Sequence, residues 1–317
     1  MKDGFGREID YLRISVTESC NQRCIYCMPR EVLPIKRPAL SDGDIVEIAQ
    51  AAAALGVKKI RLTGGEPLSR PNIAGLCEKI GAVEGIEDLS VTTNATLLAP
   101  LAKDLKAAGV KRINISLDTL DPDKFRRITR GGDIKNALAG LDAAFSCGME
   151  PIKINTVLMG GINDDEIYKF VELTRSCPIE QRFIELMPIG DGIEPFPPEA
   201  FIPCSDVLKK APRLVPIDGG RSGVAKLYRL PDGRGTVGLI SPLSDEFCAD
   251  CRRLRITADG CIKPCLHSSE EIHLRGLHGA ELQWALKLAA AHKPQRRCEL
   301  SAETRSQSKR GMYRVGG

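Results

Sequence analysis

Six runs rich in branched apolar residues recur along the first 190 positions: LRISVT (12–17), KIRLT within LGVKKIRLTGG (55–65), LSVTTN (89–94), INISLD within AGVKRINISLD (108–118), IKINTV within CGMEPIKINTV (147–157) and QRFIELM (181–187). Helix-length segments separate them. Three of these segments close on a glycine, followed by a Lys or Arg pair or a Pro that leads into the next run. The helix before the second run is expected to start at Ser41 with Asp44 three residues on, as in a capping box. It carries Ile45, Ile48, Ala49, Ala52 and Leu55 at helical spacing, and Gly56 stops it. Such alternation predicts an α/β chain of right-handed βαβ units around a parallel sheet.

Alternate positions within the runs divide by polarity. One set reads Arg13, Ser15, Thr17; Arg61, Thr63; Thr92, Asn94; Asn114, Ser116, Asp118; and Lys153, Asn155. The other reads Leu12, Ile14, Val16; Ile60, Leu62; Val91; Ile113, Ile115, Leu117; and Ile152, Ile154. Neighbouring side chains on a strand face opposite ways, so one face packs under helices and the other is polar with three cations. A closed eight-stranded barrel fills its middle with branched apolar side chains. The polar face therefore predicts an incomplete (βα)6 TIM-like barrel around a wide, wet cavity for an anionic ligand. An amphipathic sheet with one face in bulk water is the alternative, against the habit of parallel sheets to be covered on both faces.

After about residue 190 the style changes to Pro- and Gly-rich turns, EPFPPEAFIPC (194–204), and then to short β-like pieces near 224–240. The expected division is a partial barrel at 1–190 and a C-terminal region at 191–317 laid against it, without a clear linker. The chain has 317 residues, 43% of them hydrophobic, enough for a sizeable core. Neither end carries a leader-like pattern, and no apolar stretch approaches the roughly 20 residues of a spanning helix, so a soluble, cytoplasmic protein is expected. A net charge of +4 is too slight to argue for a nucleic-acid or membrane partner. The locally basic stretch from Lys293 to Arg314 reads as a solvated segment.

Twelve cysteines in a reducing compartment point to metal or thiol chemistry rather than a disulfide framework. The first group, SCNQRCIYCMP (19–29), holds Cys20, Cys24 and Cys27 directly behind the first strand-like run. Structural zinc normally takes four ligands, yet all four histidines (His267, His273, His278, His292) lie in the last fifth of the chain. Three thiolates in a loop suit an iron–sulfur cluster whose fourth iron takes an outside ligand; zinc or a redox thiol pair is the alternative. The second group, FCADCRRLRITADGCIKPCLHS (247–268), holds Cys248, Cys251, Cys261 and Cys265, and on spacing alone it is also a zinc-ribbon signal.

The CxxxCxxC spacing with Tyr26 before its last cysteine resembles the signature of the radical S-adenosylmethionine (SAM) superfamily. TGGEP (63–67) resembles its glycine-rich segment for the cofactor's amino group. CxxC followed by RLR and a later CL, with the terminal Gly316-Gly317, resembles more specifically the GTP 3′,8-cyclase (MoaA) family of molybdenum cofactor biosynthesis. The likeness runs nearly end to end, apart from about 190–235 and the basic segment before the tail. It implies two [4Fe–4S] clusters, on Cys20, Cys24 and Cys27 and on Cys248, Cys251 and Cys265, each with one iron left to an outside molecule; Cys261 falls outside the pattern. It implies S-adenosyl-L-methionine gripped by Tyr26, Gly65, Ser116 and Met187, with Asn155 a further contact.

The resemblance further implies GTP contacts at Arg13, Arg61, Thr92 and Lys153, and at the run Arg253, Leu254, Arg255 beside the second cluster, whose open iron binds the guanine edge. A buried cation here has an alternative role, pairing with an acid such as Glu66 or Asp118. Arg182 is expected to aid substrate placement, with a salt bridge to Glu185 as the alternative, and Gly316 and Gly317 to thread into the cavity rather than fray. The implied reaction takes the ribose 3′ hydrogen, closes C3′ onto guanine C8 and reduces the result to a dihydro-GTP. The implied partners are GTP, an external one-electron donor, a second copy of the chain in a homodimer, and cyclic pyranopterin synthase MoaC as recipient of the product. A peptide-modifying radical enzyme with an auxiliary cluster, or a zinc-binding interaction module, are the rival readings.

Overall fold

Ser41 and Asp44 form the capping box expected of them: the Asp44 N–H donates to the Ser41 hydroxyl at 3.1 Å, and the Asp44 carboxylate accepts from the Ser41 N–H at 2.9 Å. The helix they start, α1 (Asp42–Ala54), buries Ile45, Ile48, Ala49, Ala51 and Ala52. Gly56, at φ 88°, turns the chain out of it in a conformation a β-carbon resists. The computed structural model, which describes residues 1–31, 37–190, 196–301 and 304–316, repeats this helix-to-strand unit around an arc.

Strands β1 (Tyr11–Ser15), β2 (Lys59–Thr63), β3 (Asp88–Thr93), β4 (Arg112–Ser116), β5 (Ile152–Leu158) and β6 (Ile179–Glu185) pair in chain order, all parallel. The connections hold α1, α2 (Ile73–Gly81), α3 (Leu98–Ala107), α4 (Pro122–Thr129), α5 (Ile134–Ser146) and α6 (Ile167–Ser176). Leu12, Ile14, Ile60, Leu62, Val91, Ile113, Ile115, Ile152 and Ile154 sit in the core at 0–1% exposure. Each contributes roughly 1.5–3 kcal/mol relative to exposure. Because side chains alternate, burying these positions commits the intervening polar ones to the inner face. Register then sets them side by side: Arg13 beside Arg61, Thr92 beside Asn114, Asn114 beside Lys153, and Asn155 beside Arg182.

The C-terminal region does more than lie against this arc. Strand β9 (Thr236–Ile240) extends it in parallel beyond β6, followed by antiparallel β8 (Ala225–Arg229) and β7 (Val215–Ser222). At the opposite edge β10 (Arg253–Ile256) pairs in parallel with β1, followed by antiparallel β11 (Cys261–Lys263) and β12 (Ile272–His273). The result is one twelve-stranded sheet, open between β12 and β7, an incomplete barrel whose six-stranded arc is lengthened at both edges. The boundary expected near 190 is therefore a change of connectivity within a single sheet. Helix α7 (Ser205–Lys210) packs near α6, α8 (Gly279–Ala291) packs on α1, and the short α9 (Met312–Val315) precedes the tail. Among the described residues no helix is long and apolar enough to cross a membrane.

Candidate functional site

A cavity of about 890 Å³ follows the polar face of the arc, from Tyr11 and Lys59 at the strand starts to Thr63, Ser116 and Met187 at their ends. Cys20, Cys24 and Cys27 line it, and so do Cys248, Cys251 and Cys265. All twelve cysteines are free thiols, and these six are half-buried.

The first group is built by close backbone packing. The Gly65 N–H donates to Thr17 O, and the Glu66 N–H to Ser19 O, both at 2.8 Å. A β-carbon at Gly65 would lie 2.1 Å from Ser19 O, and one at Gly64 2.7 Å from Thr17 O. Only two consecutive glycines let the end of β2 press this tightly on the segment leading to Cys20. Glu66 then locks the site: it accepts from Thr93 Oγ1 at 2.6 Å, Asn94 N at 2.8 Å and Leu68 N at 3.0 Å. Burial pushes its carboxyl up to about 7 against those hydrogen bonds. On the other side, Arg23 N and Ile25 N donate to Thr129 O and Ile128 O at the end of α4. The Tyr26 hydroxyl donates to Asp118 at 2.8 Å. Burial raises the thiols of Cys20, to about 11, and Cys27, to about 12, and that of Cys24 as well. Thiols held neutral in this way ionise when a cationic centre draws off the proton.

The second group lies on pieces that the sheet edge brings together. Cys248 opens a short turn, Cys251 precedes β10, and Cys265 follows β11. At Cys251 burial raises the thiol, but Arg253 and Lys293 overcome it and bring it down to about 6. Cys261 lies apart: its Sγ is 3.2 Å from His273 Nδ1, fully buried and outside the cavity wall. Among the described residues no three His, Cys, Asp or Glu side chains converge on a single-ion position. A four-iron cluster asks for no such convergence, since each thiolate binds its own iron. Two sets of three thiols, each bordering open space, fit such clusters.

Every described residue that the sequence singled out for cofactor or substrate, except Leu254 and Gly316, lines the cavity: Tyr26, Gly65, Ser116, Met187 and Asn155; Arg13, Arg61, Thr92, Lys153 and Arg182; Arg253 and Arg255. Leu254 turns into the core at 1% exposure, so only the arginines of the RLR run face the cavity. Thr92 Oγ1 and Asn155 Oδ1 are buried atoms without a hydrogen-bond partner among the described residues, the state of groups awaiting a ligand. The cations crowd each other. Burial and neighbouring Arg13, Arg182 and Arg112 lower Arg61 to about 9, although Tyr11 opposes them, and burial and Arg182 lower Lys153 to about 8. A polyanion would relieve that repulsion.

Neither Glu66 nor Asp118 neutralises these cations, and Glu185 is not the partner of Arg182. Glu185 accepts instead from Cys204 N at 3.0 Å, Leu243 N at 2.9 Å and Ser244 N at 3.0 Å. Among the described residues the acid that meets two of these cations is Glu180, whose two oxygens lie 2.7 Å from Lys153 Nζ and 2.5 Å from Arg182 Nε. Sequence reasoning missed it, although its place two residues before Arg182 on β6 gives both the same face. It also missed Tyr11, whose ring lies 5.7 Å and 5.5 Å beneath the guanidinium carbons of Arg13 and Arg61.

The expectation of a solvated basic segment holds for Arg296, Arg305 and Lys309, which are exposed, and fails for the cations that anchor the segment. Lys293 is 3% exposed; Arg310 pairs with Asp259 at 3.0 Å and Glu271 at 2.7 Å, and Arg314 with Glu18 at 3.2 Å. Held this way, the tail runs inward: Met312 and Tyr313 join the cavity wall, and Arg255 donates to the Gly316 carbonyl. Gly316, at φ 73°, would carry its β-carbon 2.0 Å from Thr63 Oγ1, so glycine alone fits there. Gly317 lies outside the described residues.

Comparison with known proteins agrees with this geometry. The chain matches the radical SAM superfamily over residues 14–174 and the molybdenum cofactor synthesis C family over residues 179–298. It is 45% identical to the GTP 3′,8-cyclase of Alkaliphilus oremlandii, covering 100% of both chains. To that of Peptoclostridium acidaminophilum it is 48% identical, over 99% of this chain and 98% of the other. Among solved structures, Streptococcus suis SuiB superposes with a TM-score of 0.60 at 15% identity, over 96% of this chain and 76% of SuiB, a likeness of fold.

Proposed function

The chain belongs to the GTP 3′,8-cyclase family of the radical SAM superfamily, and on that premise we propose how its residues divide the work. It converts GTP to 3′,8-cyclo-7,8-dihydro-GTP, the first step of molybdenum cofactor biosynthesis, using two [4Fe–4S] clusters and S-adenosyl-L-methionine. In our reading Cys20, Cys24 and Cys27 hold one cluster, and Cys248, Cys251 and Cys265 the other. When bound, the first cluster and S-adenosyl-L-methionine supply the radical that removes the ribose 3′ hydrogen.

The chain's own part is to bind, orient and exclude water. Tyr26, Gly65, Ser116, Met187 and Asn155 border the space beside the first cysteine group and would grip S-adenosyl-L-methionine. Arg13, Arg61, Thr92 and Lys153 would take the triphosphate, whose charge their mutual repulsion favours. Arg253 and Arg255 would direct the base towards the second cluster, and any part played by Leu254 would go through its backbone. Glu180 holds Lys153 and Arg182 extended into the cavity, so less side-chain entropy is lost when substrate arrives. Gly316, held by Arg255, would bring the tail up to the substrate, and the resemblance gives Gly317 a part beside it. The same reading carries a homodimer, an external one-electron donor, and delivery of the product to cyclic pyranopterin synthase MoaC.

One observation carries the assignment of roles: two groups of three thiols border a single cavity that Arg13, Arg61, Lys153, Arg182, Arg253 and Arg255 also line. The test is anaerobic incubation of reduced, reconstituted protein with S-adenosyl-L-methionine and GTP deuterated at the 3′ position. The expected outcome is deuterium in 5′-deoxyadenosine and a cyclised isomer of GTP, in about equal amounts. Deuterium remaining in unchanged GTP would refute it.

A further inference from the structure

The second cysteine group has no local scaffold comparable to the Gly64–Gly65 contact of the first, yet its loops are tied. The ties come from both ends of the chain. At the N-terminus the Asp3 carboxylate accepts from the N–H groups of Phe5 and Arg7, each at 2.9 Å, and from Arg7 Nε, while Gly6 at φ 80° makes the turn. That turn aims the Arg7 fork at three carbonyls: Cys248 O at 2.7 Å, Pro294 O at 2.7 Å and Gln295 O at 3.1 Å. From the C-terminal side Lys293 Nζ donates to Arg253 O at 2.9 Å and Pro264 O at 3.0 Å, the carbonyls beside Cys251 and immediately before Cys265. The Arg297 N–H points at Cys248 Sγ at 3.4 Å, and its guanidinium donates to Pro242 O at 2.9 Å and Leu243 O at 3.4 Å.

A hydrogen bond from a charged donor contributes more than a neutral one, and removing it leaves a buried carbonyl unpaired. Three thiolates around a cluster also concentrate negative charge, which cations held on the neighbouring carbonyls offset. We propose that Arg7, Lys293 and Arg297 are positioning residues for the second cluster, a cationic frame that sets the spacing of Cys248, Cys251 and Cys265 before metal arrives. The proposal rests on the functional reading above, in which those three cysteines are ligands. It gives the N-terminal turn and the basic segment a task neither shows in sequence.

The test uses the full-length chain with Lys293→Met and, separately, Arg7→Met. In metal-free protein, amide hydrogen exchange over residues 242–251 and 264–266 is expected to be about tenfold faster than in the parent, with the α1 and β2 amides unchanged. After anaerobic reconstitution each variant is expected to hold about four irons against about eight in the parent, with the remaining cluster still perturbed by S-adenosyl-L-methionine in its electron paramagnetic resonance spectrum. Arg7→Lys, which keeps the charge but loses the fork, is expected to recover part of the loss. Unchanged exchange in both variants, or equal loss of both clusters, would overturn the frame. A parent chain that takes up only four irons would instead break the functional reading, while the exchange measurement still decides the frame.

Discussion

The two cysteine groups face the same cavity but are built on different principles. The first is compact in sequence: eight positions hold all three thiols, and its mould is backbone packing of Gly64 and Gly65 on Thr17 and Ser19 and of Arg23 and Ile25 on the end of α4, backed by the buried Glu66. The second is assembled from distant pieces: a turn at Cys248, the two strands β10 and β11, and cations at positions 7, 293 and 297. A short motif thus suffices where backbone shape makes the site, whereas a site on a sheet edge needs the whole chain to be in place.

Removing one thiol from each site tests that contrast with the largest effect. Cys24→Ala and Cys251→Ala are each expected to lower cyclisation about 10³-fold or more and to leave about four irons. They should differ in uncoupled chemistry: 5′-deoxyadenosine formation stops in Cys24→Ala and persists in Cys251→Ala, as chromatography of quenched reactions will show. Next, Lys153→Gln is expected to raise KM for GTP about 10–100-fold with a smaller change in kcat, since it removes a donor proposed for the triphosphate. Glu180→Gln should raise KM less, about tenfold or below, because Glu180 pairs with Lys153 and Arg182 rather than lying among the proposed phosphate donors.

Much of this was legible before any coordinates. Alternation on five of the runs set the inner face because Leu12, Ile14, Ile60 and their like have no other place to go, and Arg13, Arg61 and Lys153 followed from them. The Ser41 box and the Gly56 stop are local chemistry and held as read. What escaped was long-range. Parallel pairing of β9 and β10 onto the two edges joins residues more than fifty apart or at opposite chain ends, which no periodicity reveals. The burial of Lys293 and the half-burial of Arg310 depend on partners, Pro264 O and Glu271, that are invisible to a count of charges. Leu254 sits between two arginines that line the cavity, yet the same alternation that turns them to it turns Leu254 into the core.

Smaller effects separate shape from chemistry. Gly65→Ala should cost about 1–3 kcal/mol through overpacking and lower iron at the first site alone. Leu254→Ala should cost about 2–5 kcal/mol of stability in denaturant titration and leave KM for GTP unchanged in the folded enzyme. The pH response is smaller again. Lys153, held near 8 by burial and by Arg182, loses its proton as pH rises through that value. KM for GTP should therefore climb a few-fold between about pH 7 and 9, and Lys153→Arg should flatten the climb. Cys261→Ser should change neither iron content nor rate, since its thiol faces His273 away from the cavity.

The central claim is that each cluster is left open to a different outside molecule within one cavity. Electron–nuclear double resonance on the reduced, loaded protein tests it most directly, with nitrogen-labelled S-adenosyl-L-methionine in one sample and nitrogen-labelled GTP in another. The account predicts coupling of the first label only to the cluster that survives in Cys251→Ala, and of the second only to the cluster that survives in Cys24→Ala. Coupling of both labels to one cluster, or of neither to any, would contradict it.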